Sequence, residues 1–359
     1  MLAARLYGAK DLRIEEMGEP EPGPGEVKIR VAYAGICGTD VHEYFDAPRA
    51  THVPNPLTGA VLPQTLGHEF AGTVVECGEG VDRVAPDDRV CVRPIRTCGG
   101  CARCTSGLDH LCARLAAIGV TSPGGGLAQY VVVPADAVHR LPDGLSLEQG
   151  ALVEPMAVGL NAVERAGVRP GGSALVTGAG AVGMGALFAL KAHDVEDVLV
   201  VEPSPSRRAA AERHGARVLD PTDPAVDVVA EVLRHTGGRG VDVAVECAGR
   251  PDALDTALRS VAARAPVVLV ALYSGPIAID TSVIRLAELA LLGAEAYPDG
   301  IFERVLGHMA DGHYPTDGWL DHIRLADTVA GLHDVRDGRR LKVLVDIPGG
   351  TATGSSRNS

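Results

Sequence analysis

Four cysteines, Cys98, Cys101, Cys104 and Cys112, stand in the pattern C-x2-C-x2-C-x7-C. Thiolates at that spacing can close a tetrahedral shell around zinc with no position left for water, which makes a structural site that stiffens its loop. An iron–sulfur cluster is the competing reading, but the bacterial ferredoxin run places its fourth cysteine after three residues and then a proline. A second set is spread more widely: Cys37 in AGICGTDVHEY, His68 and Glu69 in LGHEFAG, and Glu154 in LVEPMAV. Thiolate, imidazole and carboxylate together suit zinc. Three such ligands with one open position make a catalytic site, where the metal acts as a Lewis acid on an alcohol or carbonyl oxygen.

A third constellation suits phosphate. The run SALVTGAGAVGMGALFALKA reads as a strand, then Gly178, Gly180 and Gly183 in G-x-G-x-x-G with Val182 inside the loop, then a helix. In that context the first glycine allows a tight turn, the second lets the backbone approach a pyrophosphate, and the third lets helix and strand pack closely. The helix N-terminus offers its free N–H groups to the anion. Glu202 closes the next strand, DVLVVEP, where an acid accepts hydrogen bonds from the adenosine ribose and repels a 2′-phosphate. Arg207 and Arg208 follow and could accommodate such a phosphate instead, so the expected cofactor is NAD, with NADP second.

Positioning these residues takes two kinds of domain, and 359 residues suffice for both. From Val27 to about Arg140, short strand-like runs alternate with Gly/Pro turns, as in a barrel-like β domain. From Ser173 the texture becomes six apolar strands alternating with Ala/Arg-rich helical stretches, which predicts a doubly wound parallel sheet and an α/β fold class. After Tyr297 a helical FERVLGHMADG and a strand-like LKVLVDI are expected to rejoin the β domain. Residues 349–359, GGTATGSSRNS, hold nothing apolar to bury and are expected to be a disordered tail.

Composition excludes other classes. Lys plus Arg is 33 against 46 Asp plus Glu, a formal net charge of −13, which argues against nucleic acid as a partner. No stretch reaches the length of a membrane span, and charges at Arg5, Lys10, Asp11 and Arg13 interrupt any secretory core. Cysteine usage with no secretory signal points to a reducing cytoplasm.

Taken together, GICGTDVHEY, LGHEFAGTVVECGEGV, CGGCARC, LVEPMAV and VTGAGAVG resemble, in order, the medium-chain dehydrogenase/reductase family in its zinc-containing alcohol and polyol branch. The resemblance runs from about Leu2 to Asp346. Within the branch it is greatest to butanediol dehydrogenases, through HEY after Cys37, the loop PNPLTGAVLPQTLGHEF, and VVEPSPSRR; sorbitol, threonine and aminocyclitol dehydrogenases are close alternatives. It implies a GroES-like catalytic domain at 1–155 with a structural zinc lobe at 93–115, a Rossmann NAD-binding domain at 156–296, and a return to the catalytic domain at 297–348. It assigns Cys37, His68 and a glutamate, Glu69 or Glu154, to a catalytic zinc and the four lobe cysteines to a second one. It makes Thr39 and His42 a hydroxyl–imidazole relay that takes the alcohol proton by way of the cofactor ribose toward solvent. The implied activity is interconversion of a secondary alcohol and its ketone by a homodimer or homotetramer acting on a small molecule.

The chain departs from the family in three places. Ala263, Arg264, Ala265 and Pro266 replace the usual Pro-Gly-Gly turn before the fifth Rossmann strand. That strand ends in Ala271, Leu272 and Tyr273, where a glycine is common, and Arg93 puts a positive charge just before the cysteine lobe. Two other classes stay open: a binding protein that kept the fold without the chemistry, and a zinc-free quinone or enoyl reductase, against which both ligand sets argue.

Overall fold

A computed structural model describes residues 1–350 and divides the chain into two compact units, Met1–Glu154 with the chain from Leu320 onward, and Pro155–Trp319. In the first unit the long strand β1 (Glu26–Ile36) is the axis of the barrel sheet. It pairs antiparallel with β2 (Glu69–Cys77), which pairs with β3 (Arg89–Val92), while β4 (Tyr130–Pro134) pairs with β1 and β5 (Val138–Arg140) with β3. The helix α1 (Gly38–Phe45) leaves the end of β1, and α2 (Val153–Ala166) leads into the second unit.

That unit is a six-stranded parallel sheet of β6 (Ser173–Thr177), β7 (Asp197–Val201), β8 (Arg217–Leu219), β9 (Val243–Glu246), β10 (Pro266–Leu269) and β11 (Ala290–Gly293). Their spatial order is β8-β7-β6-β9-β10-β11, with α3 (Ala181–Ala192) crossing from β6 to β7. Strands buried on both faces carry continuous apolar runs rather than alternation, and every residue of β6 is buried. α3 is apolar nearly all round for the same reason, with Gly183 through Leu190 all buried. A side chain at Gly183 would run into the Gly178 carbonyl, so helix and strand can approach this closely only without a Cβ.

Sequence analysis placed the return to the catalytic domain at residue 297, and the structure moves it to 320. The helix α4 (Ile301–Ala310) buries Ile301, Phe302, Val305, Leu306 and Met309 within the second unit. Tyr314 and Trp319 pack their rings on Phe188 of α3, with centroids 5.7 and 5.9 Å away. These apolar residues cap the sheet unit, a role that a pattern of strands and helices alone does not reveal. The chain then forms β12 (Leu320–Arg324) and β13 (Lys342–Asp346), and β13 slots between β12 and β1 in the barrel sheet. Of the expected tail, Gly349 and Gly350 are ordered by a turn in which the Gly350 N–H donates to the Ile347 carbonyl at 3.0 Å, and 351–359 lie outside the described residues. No helix among the described residues is long and apolar enough to cross a membrane.

Phe188 is 1% exposed, so Phe188→Ala is expected to cost about 3–5 kcal/mol of stability by leaving a cavity under Tyr314 and Trp319. Chemical denaturation monitored by Trp319 fluorescence checks this.

Candidate active site and cofactor loop

Strand register assembles the first site. Gly35 near the end of β1 pairs with Glu69 on one side and with Leu344 of β13 on the other. The next residues, Cys37 and then α1, therefore emerge between the start of β2, which carries Glu69 and follows His68, and the start of β13, which carries Lys342. A slip of one residue in either pairing would turn these side chains to the opposite face. The result is a group of Cys37, His68 and Glu69 whose ligand atoms all lie within 4.8 Å of one another. Glu154, half-buried in the first turn of α2, is not in that group.

The surroundings of the three are charged and dry. Asp40, at the third position of α1 and fully buried, accepts the Cys37 N–H at 2.9 Å and lies 3.5 Å from Nδ1 of His68. Burial pulls the His68 imidazole down, but the charges of Asp40 and Cys37 more than offset this and leave its pKa well above the ordinary value. On the other flank Lys342, 1% exposed, donates to the Ile36 carbonyl at 3.1 Å and forms an ion pair with Oε2 of Glu69. Burial alone would lower the lysine's pKa; the Glu69 and Cys37 charges raise it. A Cβ on Gly35 would collide with Glu69 and Lys342, so the absence of a side chain there makes room for the pair. Oε1 of Glu69 is buried and without a hydrogen-bond partner. A buried carboxylate oxygen left open beside a thiol and an imidazole fits a zinc ligand set.

Thr39 is half-buried in the first turn of α1, and His42 stands three residues on, the spacing that shares a helix face. The His42 side chain is 51% exposed, with Nδ1 2.8 Å from Asp46 Oδ2. Edge-on packing of Phe45 against His333 at 4.8 Å holds the far end of α1. Sequence reasoning missed Asp40, Lys342 and Asp46. Asp40 and Asp46 follow Cys37 closely and were visible as acids at helical spacing, whereas Lys342 sits in what reads as an ordinary strand.

In the lobe, the sulfur of Cys98 lies 3.4 Å from that of Cys112 and 4.0 Å from that of Cys104, and Cys101 lies 3.5 Å from Cys104 and 3.9 Å from Cys112. A disulfide requires about 2.05 Å, whereas four thiolates about 2.3 Å from one zinc stand roughly 3.8 Å apart. The lobe thus has the dimensions of a zinc shell. A hydrogen bond from Arg114 and then one from the Gly100 backbone hold Cys98 down to about 5, while desolvation and neighbouring sulfurs push Cys104 up to about 11. The unusual Arg93 turns inward to Asp109 at 3.1 Å, so its charge is neutralised within the lobe.

In the second unit Gly180 caps α3, and the Gly178–Gly183 loop lies at the carboxyl end of β6. Glu202 is 3% exposed; its Oε2 accepts the Ala179 N–H at 2.7 Å and its Oε1 accepts the Ser204 N–H at 2.9 Å. It therefore braces the glycine loop against the turn that follows β7. Arg208 is committed to Asp220 at 2.7 Å and to the Glu202 and Pro203 carbonyls, while Arg207 is half-buried on the same helix.

Comparison with known proteins agrees with this geometry. Residues 23–143 match the alcohol dehydrogenase GroES-like domain and residues 181–311 the zinc-binding dehydrogenase domain. The chain is 42% identical over 319 residues to (R,R)-butanediol dehydrogenase of Bacillus subtilis strain 168, covering 88% of this chain and 90% of that enzyme. A crystal structure of 2R,3R-butanediol dehydrogenase from Bacillus subtilis superposes with a TM-score of 0.90 at 39% identity, covering 96% of this chain and 99% of that one. A zinc-binding dehydrogenase from Sinorhizobium meliloti 1021, bound to NADP, superposes with a TM-score of 0.87 at 31% identity, covering 96% and 98%.

Removing the buried cation strands a carboxylate. Lys342→Met is expected to destabilise the metal-free protein by about 3–5 kcal/mol. Adding Glu69→Gln should recover part of that loss, and a double-mutant cycle from urea unfolding measures the coupling.

Proposed function

The chain belongs to the zinc-type medium-chain alcohol dehydrogenase family, and from that premise we propose that it interconverts a vicinal diol and its hydroxyketone, of the butanediol and acetoin kind, using NAD. The class of reaction, a secondary alcohol exchanged for its ketone with zinc and a nicotinamide cofactor, follows from the family and its relatives. One observation carries the assignment to this site: Cys37, His68 and Glu69 bring three kinds of zinc donor together with one carboxylate oxygen left open. Zinc held by Cys37, His68 and Glu69 would supply a Lewis acid that eases loss of the hydroxyl proton, and a bound nicotinamide would supply the hydride acceptor.

In this reading Glu69 is the resting carboxylate ligand and Glu154 its exchange partner. Asp40 orients His68, as a carboxylate behind a metal-binding imidazole does. Thr39 takes the substrate's hydroxyl proton and His42, exposed and paired with Asp46, delivers it to water. Cys98, Cys101, Cys104 and Cys112 hold a second, structural zinc. Gly178, Gly180, Val182 and Gly183 cradle the pyrophosphate. The Glu202 carboxylate and the commitment of Arg208 to Asp220 favour NAD over NADP, since neither leaves room or charge for a 2′-phosphate at that position. Arg207 then lines the adenosine end without clamping a phosphate. Eight cysteines kept as thiols suit the cytoplasm. Edge strand β11 and Leu286, 72% exposed, leave apolar surface for assembly into a dimer or tetramer.

A panel of vicinal diols, polyols, L-threonine and amino alcohols, assayed with NAD and NADP by nicotinamide absorbance, tests the reading. The expected preferred pair is a vicinal diol with NAD; an order-of-magnitude preference for sorbitol or L-threonine would replace the diol assignment. Metal analysis should find two zinc ions per chain, with mild chelation removing the Cys37-bound ion first, because an open site exchanges ligands faster than a closed one.

His42→Ala should retain zinc and cofactor binding but slow alcohol oxidation by roughly ten- to a thousandfold, with partial rescue by small exogenous bases. Full activity with an unchanged pH–rate profile would remove His42 from the relay. Glu202→Ala should weaken NAD by about tenfold or more and narrow the gap to NADP, read from dissociation constants for both.

A further inference from the structure

The parallel sheet reverses its strand order between β6 and β9, and a dinucleotide lies across the carboxyl ends of the strands at such a point, one mononucleotide half on each side. The half built on β6, β7 and β8 carries the glycine loop and Glu202. The other half, β9, β10 and β11, has a carboxylate of its own one residue short of the level of Glu202: Glu246, the last residue of β9, in register with Val201 across β6 and with 0% exposure.

Both loops that follow β9 and β10 are gathered on this one residue. Oε1 of Glu246 accepts the N–H groups of Ala248 at 2.8 Å and Gly249 at 2.9 Å, while Oε2 accepts the Tyr273 hydroxyl at 2.7 Å. Its backbone carbonyl accepts the N–H groups of Val270 at 3.0 Å and Ala271 at 3.3 Å. The loops also touch, since a side chain on Gly249 would strike the Leu272 carbonyl. Burial and the Glu246 carboxylate raise the Tyr273 pKa, so the phenol keeps its proton and remains the donor. Beside it Leu272 is 62% exposed, an apolar side chain held in water on a segment tied down at both ends.

We propose that Tyr273 is a positioning residue for the nicotinamide half of the cofactor: its bond to Glu246 fixes residues 270–273, and with them Leu272, as a preformed apolar flank on which the nicotinamide ring docks. The proposal rests on the dinucleotide reading above. A flank ordered before binding spares the complex the cost of ordering it then. Losing the bond therefore penalises the ring and leaves the rest of the cofactor alone.

The test compares two ligands on the full-length, zinc-loaded protein by calorimetry: NAD, and ADP-ribose, the same molecule without the nicotinamide ring. Tyr273→Phe, which keeps the aromatic body, should weaken NAD roughly three- to tenfold, the size of one net hydrogen bond, and leave ADP-ribose unchanged. Leu272→Ala, at an exposed position, should give the same pattern without shifting the unfolding midpoint. Unchanged NAD affinity in Tyr273→Phe would overturn the proposal, as would equal weakening of both ligands, which marks general damage to the sheet edge. Wild-type protein that binds neither ligand would overturn the dinucleotide reading itself, and the positioning role with it.

Discussion

An ammonium and a carboxylate closed off from water are tolerable only as a pair, and the pair formed by Lys342 and Glu69 sets the terms for the whole catalytic unit. Desolvating either charge alone costs several kcal/mol, so the two strands that carry them are held in one register. That register also puts Cys37 at the end of β1 and His68 at the start of β2. The ion pair spends one oxygen of Glu69 on the lysine and leaves the other buried without a hydrogen-bond partner. In the function proposed above, a glutamate so divided would be a weaker and more readily displaced zinc ligand than one with its full charge available.

Much of this was legible in the residues themselves. The lobe cysteines and the glycine loop could be recognised because each is a short local pattern whose chemistry demands its spacing, and the more widely spread Cys37, His68 and Glu69 through the order of the motifs that carry them. The choice between Glu69 and Glu154 could not be read, because strand register rather than sequence distance decides which carboxylate reaches Cys37. Lys342 was hidden for a related reason: in LKVLVDI a lysine looks like the polar start of a strand, and only pairing with β1 shows that it points into a closed interior. The boundary at Trp319 was missed because Tyr314 and Trp319 belong to no periodic element, yet their rings complete the core around Phe188.

The parallel sheet shows a repeated solution. At the carboxyl ends of β7 and β9, Glu202 accepts backbone N–H groups with both carboxylate oxygens and Glu246 accepts two with one of its oxygens, fixing the loops beside them. The two halves of the sheet thus brace the loops at their carboxyl ends with the same device, and differ in that the second also recruits a side chain, Tyr273, from the neighbouring loop.

The place of β13 in the barrel has a consequence for how the protein is made. Glu69 and Cys37 leave the ribosome early, but their buried counter-charge lies beyond the whole inserted sheet unit. At ordinary elongation rates that unit takes on the order of ten to thirty seconds to synthesise. Through that interval the nascent barrel holds a carboxylate, a thiol and an imidazole with the edge of β1 that β13 will pair still open, while the sheet unit is free to fold around its own core. Closure of the Glu69–Lys342 pair is therefore a late, long-range event, made by strands that bracket the whole inserted unit.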